Sequence, residues 1–233
     1  QKNHNLQVDI AVHFGTLLAI ILFYRKDVIS LMSGFQKNIS FDFDNKDAKF
    51  FQKIIIATLP VICIGFILKI TGLINEIRSI KIIGWTMIIF GFILFLADKY
   101  GKKTRVNKDW SHRDAFIMGI WQTFALIPGT SRSGNTISGA MFLGFSRETS
   151  VNLSMIMSLP TIFASSTLLF IDVIRFDFES SDLLILLISS SLSFLAALLT
   201  LSLLVKFVKS NNFTPFVIYR LILGVIILYM VYN

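Results

Sequence analysis

Between Ala125 and Gly144 the chain reads ALIPGTSRSGNTISGAMFLG. Here Arg132 stands among the hydroxyls of Thr130, Ser131, Ser133 and Thr136, with Pro128, Gly129 and Gly134 interrupting the apolar pattern. Arginine presents a planar fork of N–H donors that matches phosphate oxygens, and hydroxyls add further donors. Pro128 and Gly129 stop one helix near Ile127, and helical pattern resumes after Gly134. The first amides of the resumed helix then face the turn with the positive end of its dipole, which makes an anion cradle suited to a lipid diphosphate. Helix capping alone would explain two or three of the hydroxyls. It leaves the arginine unexplained, because a charge at membrane depth is costly and marks a functional site by default.

Other phosphate chemistries do not fit. No lysine completes a G-x-x-x-x-G-K-[ST] loop, no cysteine stands near as a nucleophile, and Ser138 occupies the place six residues after Arg132 where an acid phosphatase of that pattern carries histidine. The nearest acids, Asp114 and Glu148, are each about four helical turns away. Asp9 and His13, four apart on the first helix, form the best remaining intramembrane polar pair, with capping or packing as the plainer reading. No metal ligand set is read from these residues.

The elements that carry this turn are set by composition. Of 233 residues, 54% are hydrophobic and 15% charged, with 23 phenylalanines, which is outside the range of soluble domains and predicts an all-α, polytopic membrane protein. Apolar windows at Leu6–Tyr24, Phe50–Ile70, Ile80–Leu96, Ser150–Ile171, Leu183–Val205 and Pro215–Tyr232 approach the roughly 20 residues that span a bilayer. About six transmembrane helices in one membrane domain, residues 1–233, are therefore expected, with Ala115–Phe145 as a broken pair of half-helices. The stretch from Arg25 to Lys49 reads as a polar connector.

The net charge of +8 lies in connectors instead of one face, which argues for membrane topology and against nucleic acid. Positive residues between Asp98 and Arg113 place that loop in the cytoplasm. If the broken pair is re-entrant, Arg147, Lys206 and Lys209 share that side with Arg25–Lys49, and Asp172–Asp182 lies outside with Arg78 and Lys81. The lone Cys63 is a packing residue and excludes an intrachain disulfide.

The segments VDIAVHFGTLLAI, KIIIATLPVICIGFILK, LIPGTSRSGNTISGAMFLGFSR, SLPTIFASS and FVIYRLILGVIIL resemble the bacterial undecaprenyl-diphosphate phosphatase family, the bacitracin-resistance type. The resemblance covers nearly the whole chain. It implies an enzyme of the bacterial plasma (inner) membrane that removes the terminal phosphate of undecaprenyl diphosphate and so regenerates the carrier for peptidoglycan synthesis. It also implies two inverted repeats, each with a re-entrant broken helix. Only the second tip is present; the first, bearing Glu residues and a Ser-Gly-His turn, is expected upstream of Gln1. Carried onto matching positions, Arg132 and Ser131 are catalytic, while Thr130, Ser133 and Thr136 bind the phosphates and Gly129 and Gly134 allow close backbone approach. A divalent metal, Mg or Ca, is implied with ligands mostly outside this chain. The implied partners are a prenyl diphosphate and membrane lipid, with a homodimer as the protein assembly considered. His13 departs from the family, which usually has Gln there. The competing functions are a lipid-diphosphate translocator, since transporters also build anion sites from broken helices, and a catalytically inactive homologue.

Overall fold

The computed structural model describes residues 2–73, 78–173 and 180–233, and among these the architecture is helical, as expected. In chain order the helices are α1 (Lys2–Phe23), α2 (Arg25–Ile39), α3 (Lys46–Thr71), α4 (Ile80–Tyr100), α5 (His112–Thr123), α6 (Arg132–Phe142), α7 (Arg147–Val173), α8 (Ser180–Ser210) and α9 (Thr214–Tyr232). Each of the six apolar windows coincides with one of the long helices α1, α3, α4, α7, α8 and α9. Residues 174–179, the centre of the acidic connector, lie outside the described residues.

Among the described residues, α3, α4, α9 and the Leu184–Ser210 part of α8 are each long and apolar enough to cross a membrane. Their large side chains face outward: Leu184, Leu187, Leu192, Leu195, Leu199 and Leu203 of α8 are all more than half exposed. In water such a surface would aggregate; in a bilayer it is the solvated face. The helix α7 is of another kind. It has 27 residues, enough for about 40 Å, but it is rich in serine and buries Ser150, Val151, Leu153, Ser154, Ile156 and Met157 almost completely. It is the central post, packed on α1, α3, α6 and α8. The pairs α1 with α8 and α4 with α9 flank it, and both close through glycine. A Cβ on Gly15 would stand 2.2 Å from the Ser190 carbonyl oxygen, and one on Gly84 would stand 2.7 Å from Leu228, the close approach that replaces hydrophobic drive between helices in lipid.

One expectation is corrected here. Residues Arg25–Lys49 are not merely a polar connector, because α2 leaves α1 at a 90° bend and runs as a helix over Arg25–Ile39. Gly34 is the contact that docks α2 on α3, with the Asp47 carbonyl oxygen only 2.2 Å from where its Cβ would be. The charged residues hide an amphipathic stripe, Ile29, Met32, Phe35 and Ile39, spaced at three and four. This stripe is too short to register as a span.

Candidate active site

The hairpin of α5 and α6 is packed between α3, α4 and α7. At its base, the N–H groups of Thr104 and Arg105 both donate to the Gly144 carbonyl at 3.0 Å, and the Ser146 N–H donates to the Arg105 carbonyl at 2.9 Å. The chain therefore enters and leaves at one level. Two half-helices of 12 and 11 residues rise only about 18 Å, too little to cross roughly 30 Å of hydrocarbon, so the segment is re-entrant. The same end gathers Gln52, hydrogen-bonded to His112, and Glu148, 3.2 Å from Lys209. The connectors assigned to one side by charge thus meet at one end of the molecule.

The tip is built from backbone that cannot continue a helix. A 3-10 turn, Phe124–Leu126, closes α5 ahead of Pro128. The Thr130 hydroxyl is within 2.9 Å of the carbonyl oxygens of Phe124 and Ile127, and Thr86 on α4 donates to the Pro128 carbonyl at 2.6 Å. Gly129 has φ +86°, and a Cβ there would lie 2.4 Å from the Thr86 hydroxyl and 2.7 Å from the Ile83 carbonyl oxygen. Its close approach is therefore to α4. Ser131 takes the left-handed region at φ +66°, rare for a residue with a side chain, and its Oγ accepts the Gly134 N–H at 3.2 Å as the cap of α6. With the Gly134 and Asn135 amides bonded to Ser131, the Arg132 and Ser133 N–H groups precede any intrahelical acceptor and are left to the site.

Arg132 lies against α5 and α7. Its Nε and Nη2 donate to the Gln122 side-chain oxygen at 3.2 and 2.8 Å, and Nη2 also donates to the Met157 carbonyl at 2.9 Å and to the Thr161 hydroxyl. Every one of these acceptors is neutral. The interactions fix the fork without cancelling its charge, and Nη1 has no protein acceptor among the described residues. Thr136, one turn into α6, is buried and hydrogen-bonded to Ser154 of α7. Of the seven residues singled out in the turn, Ser131, Arg132, Ser133 and Gly134 sit at the start of α6, while Thr130, Gly129 and Thr136 are built into its scaffold.

A second arginine escaped the sequence reading. Arg220, inside the apolar window of α9, reaches across and donates from Nη2 to the carbonyls of both Gly129 and Thr130 at 3.0 Å. Its Nη1 is 3.7 Å from where a Cβ on Gly134 would be, and its buried Nε has no partner among the described residues. The signal was available, since a charge within a span is a functional pointer. Gln122, fully buried in α5, and Thr161 had no such signal: only the folded chain shows that they hold Arg132. Among the described residues neither guanidinium has a carboxylate partner, so two cations converge on one helix start.

The acids lie elsewhere. Asp114 caps α5 at the hairpin base, where both its oxygens accept from Arg105 at 3.0 and 2.6 Å. Burial alone would raise its carboxyl, but hydrogen bonds from Arg105 and Ser111 outweigh that and hold it below the usual carboxylate range. Asp9 and His13 do not pair through their side chains; His13 Nδ1 lies 2.7 Å from the Asp9 backbone oxygen. Among the described residues no three His, Cys, Asp or Glu side chains gather as a metal site. The donors at the tip, arginines and hydroxyls, do not fit a divalent cation by themselves.

Residues 1–226 match the family model described as bacitracin resistance protein BacA. An undecaprenyl-diphosphatase of Jannaschia sp. (strain CCS1) is 47% identical over 225 residues, covering 97% of this chain and 84% of the relative. One from Roseobacter denitrificans is 44% identical over 234 residues, covering 100% of this chain and 87% of the relative. One from Pelagibacter ubique is 33% identical over 233 residues, covering 100% and 85%. Matched from its first residue into α9, with the re-entrant arginine turn in place, the chain belongs to the bacitracin resistance protein BacA family.

Proposed function

We infer that this chain is an undecaprenyl-diphosphatase of the bacterial plasma membrane, which releases the terminal phosphate of the lipid diphosphate and returns the monophosphate carrier to cell-wall synthesis. Its relatives carry that name, and one observation carries the reading structurally: a guanidinium at the start of a re-entrant helix whose protein partners among the described residues are all neutral. An uncompensated arginine in a membrane calls for an anion, and a lipid diphosphate brings one from within the same solvent. The two faces of α7 fit such an amphiphile. Met157 and Thr161 hold Arg132, while Leu159, Pro160 and Phe163 line an apolar groove of about 830 Å³ shared with α1, α2 and α3.

Hydrolysis breaks the bond between the terminal phosphorus and the bridging oxygen, and water supplies the new oxygen. Negative charge grows on the bridging oxygen as that bond lengthens. Arg132, through Nη1, and the Arg132 and Ser133 amides stabilise this charge and orient the phosphates. Ser131 acts beside Arg132 on the reacting phosphate, the Ser133 hydroxyl contacts its oxygens, and Gly134, with no side chain, leaves them room to approach. Thr130, Thr136 and Gly129 hold the turn in the shape these contacts need. A divalent ion, magnesium or calcium, would have to be seated by carboxylates, which the tip itself does not supply.

The test is phosphate release from undecaprenyl diphosphate by the purified protein in detergent with a divalent cation present. Release that depends on Arg132 supports the phosphatase. Saturable binding of the lipid with no release would favour the translocator instead.

A further inference from the structure

A polar cleft lies at the opposite end of the hairpin from Arg132. The ends of α4, α7 and α9 enclose it, a space of about 210 Å³ lined by Phe95, Asp98, Lys99, Lys103, Arg147 and Thr214, with Asn212 at its edge. At its floor Asp98 is buried. Its Oδ1 accepts from Arg147 Nε at 2.6 Å and lies 3.3 Å from Lys103 Nζ, and its Oδ2 accepts the Phe213 N–H at 2.7 Å. Two cations thus contact the one carboxylate, and with Lys99 also lining it the cleft keeps an excess of positive charge. Asp98 engages only the Nε of Arg147; the two terminal nitrogens of that fork have no protein acceptor among the described residues. Lys103 is held at φ +56°, a left-handed backbone seldom taken by lysine, which turns its ammonium back into the cleft. The first turns of α7 and α9 open here as well and add the positive ends of two dipoles.

We propose that this cleft binds the phosphate of an anionic phospholipid headgroup. The chemistry recognised is a phosphate oxyanion, and free phosphate shares it. What favours the lipid is the surface below the cleft. Trp85, Ile89 and Phe92 of α4, at intervals of four and three, are each about half exposed, and Lys99 continues the same face at the rim. A headgroup bound to Lys99, Lys103 and Arg147 would lay its acyl chains along this stripe, in the arrangement by which basic pockets between spans take acidic lipids. The site is distinct from the Arg132 tip and goes beyond the phosphatase reading.

The experiment measures lipid retained by the purified protein in native mass spectrometry after incubation with phosphatidylglycerol or phosphatidylcholine. Phosphatidylglycerol should be retained preferentially. Lys99→Gln, which breaks no hydrogen bond among the described residues, and Lys103→Gln should each weaken retention about fivefold with turnover of the prenyl diphosphate unchanged. Inorganic phosphate at millimolar concentration should not displace the lipid. Equal retention of the two lipids, or undiminished retention of phosphatidylglycerol in the Lys99→Gln variant, would overturn the proposal. Displacement by inorganic phosphate would reassign the cleft to the free ion.

Discussion

The two ends of the α5–α6 hairpin each hold an arginine, and the two are treated oppositely. At the base, Arg105 meets both oxygens of Asp114, and its Nη1 and Nη2 also reach the carbonyls of Leu143 and Asp109. This charge is neutralised, and the interaction ties the start of the hairpin to its end. At the tip, Arg132 meets an amide oxygen, a carbonyl and a hydroxyl. The tip fixes direction and leaves the charge uncancelled. The difference is one of counterions: the staple brings its own, whereas among the described residues the tip arginine has none.

The largest effect that would test this contrast is on turnover. Arg132→Lys keeps the charge but loses the fork that Gln122, Met157 and Thr161 orient, so phosphate release should fall by at least ~100-fold. The melting temperature should change little by comparison. Near-normal turnover in this variant would remove Arg132 from the chemistry.

At the other end the expected pattern is reversed. Arg105→Ala strands the buried Asp114 carboxylate and should cost about 2 kcal/mol of stability, read as a lower unfolding temperature in detergent, while the protein that remains folded keeps most of its turnover. A variant that lost turnover without losing stability would show that the base is more than a staple.

Acid should discriminate between the ends too. Because the Asp114 carboxyl is depressed in the fold, its contribution is fully present above its unfolded value of about 3.9 and is lost as pH falls through its lower folded value. Thermal melts taken at falling pH should show this acid loss in the parent and a smaller one in Asp114→Asn. An identical pH profile for both would mean that Asp114 adds no ionised-state stability. The smallest effect belongs to Thr86→Val, which removes the donor to Pro128 and leaves that carbonyl unpaired at about 1 kcal/mol. A modest loss of turnover should accompany it, since the turn would be less firmly held against α4.

The sequence by itself determined the membrane class, the six long helices and the position of the break, because each is a local property. Apolar length fixes a span, and Pro128 and Gly129 end a helix wherever they stand. It also exposed Arg132, since one charge among hydroxyls in an apolar run is visible without a fold. The α2 helix was less legible, its apolar stripe being short and interleaved with charge. Only the tertiary structure decided which hydroxyls of the turn are bonded to its own backbone. Thr130 and Ser133 look alike on paper, yet one is bonded to the carbonyls of Phe124 and Ile127 while the other stands at the open helix start. It alone joined Arg220 to Gly129 and Thr130, ninety or more positions away in the chain, and Gln122 and Thr161 to Arg132. The physical reason is range: helix formation and burial in lipid depend on near neighbours and composition, whereas the orientation of a charged side chain depends on acceptors brought by other helices.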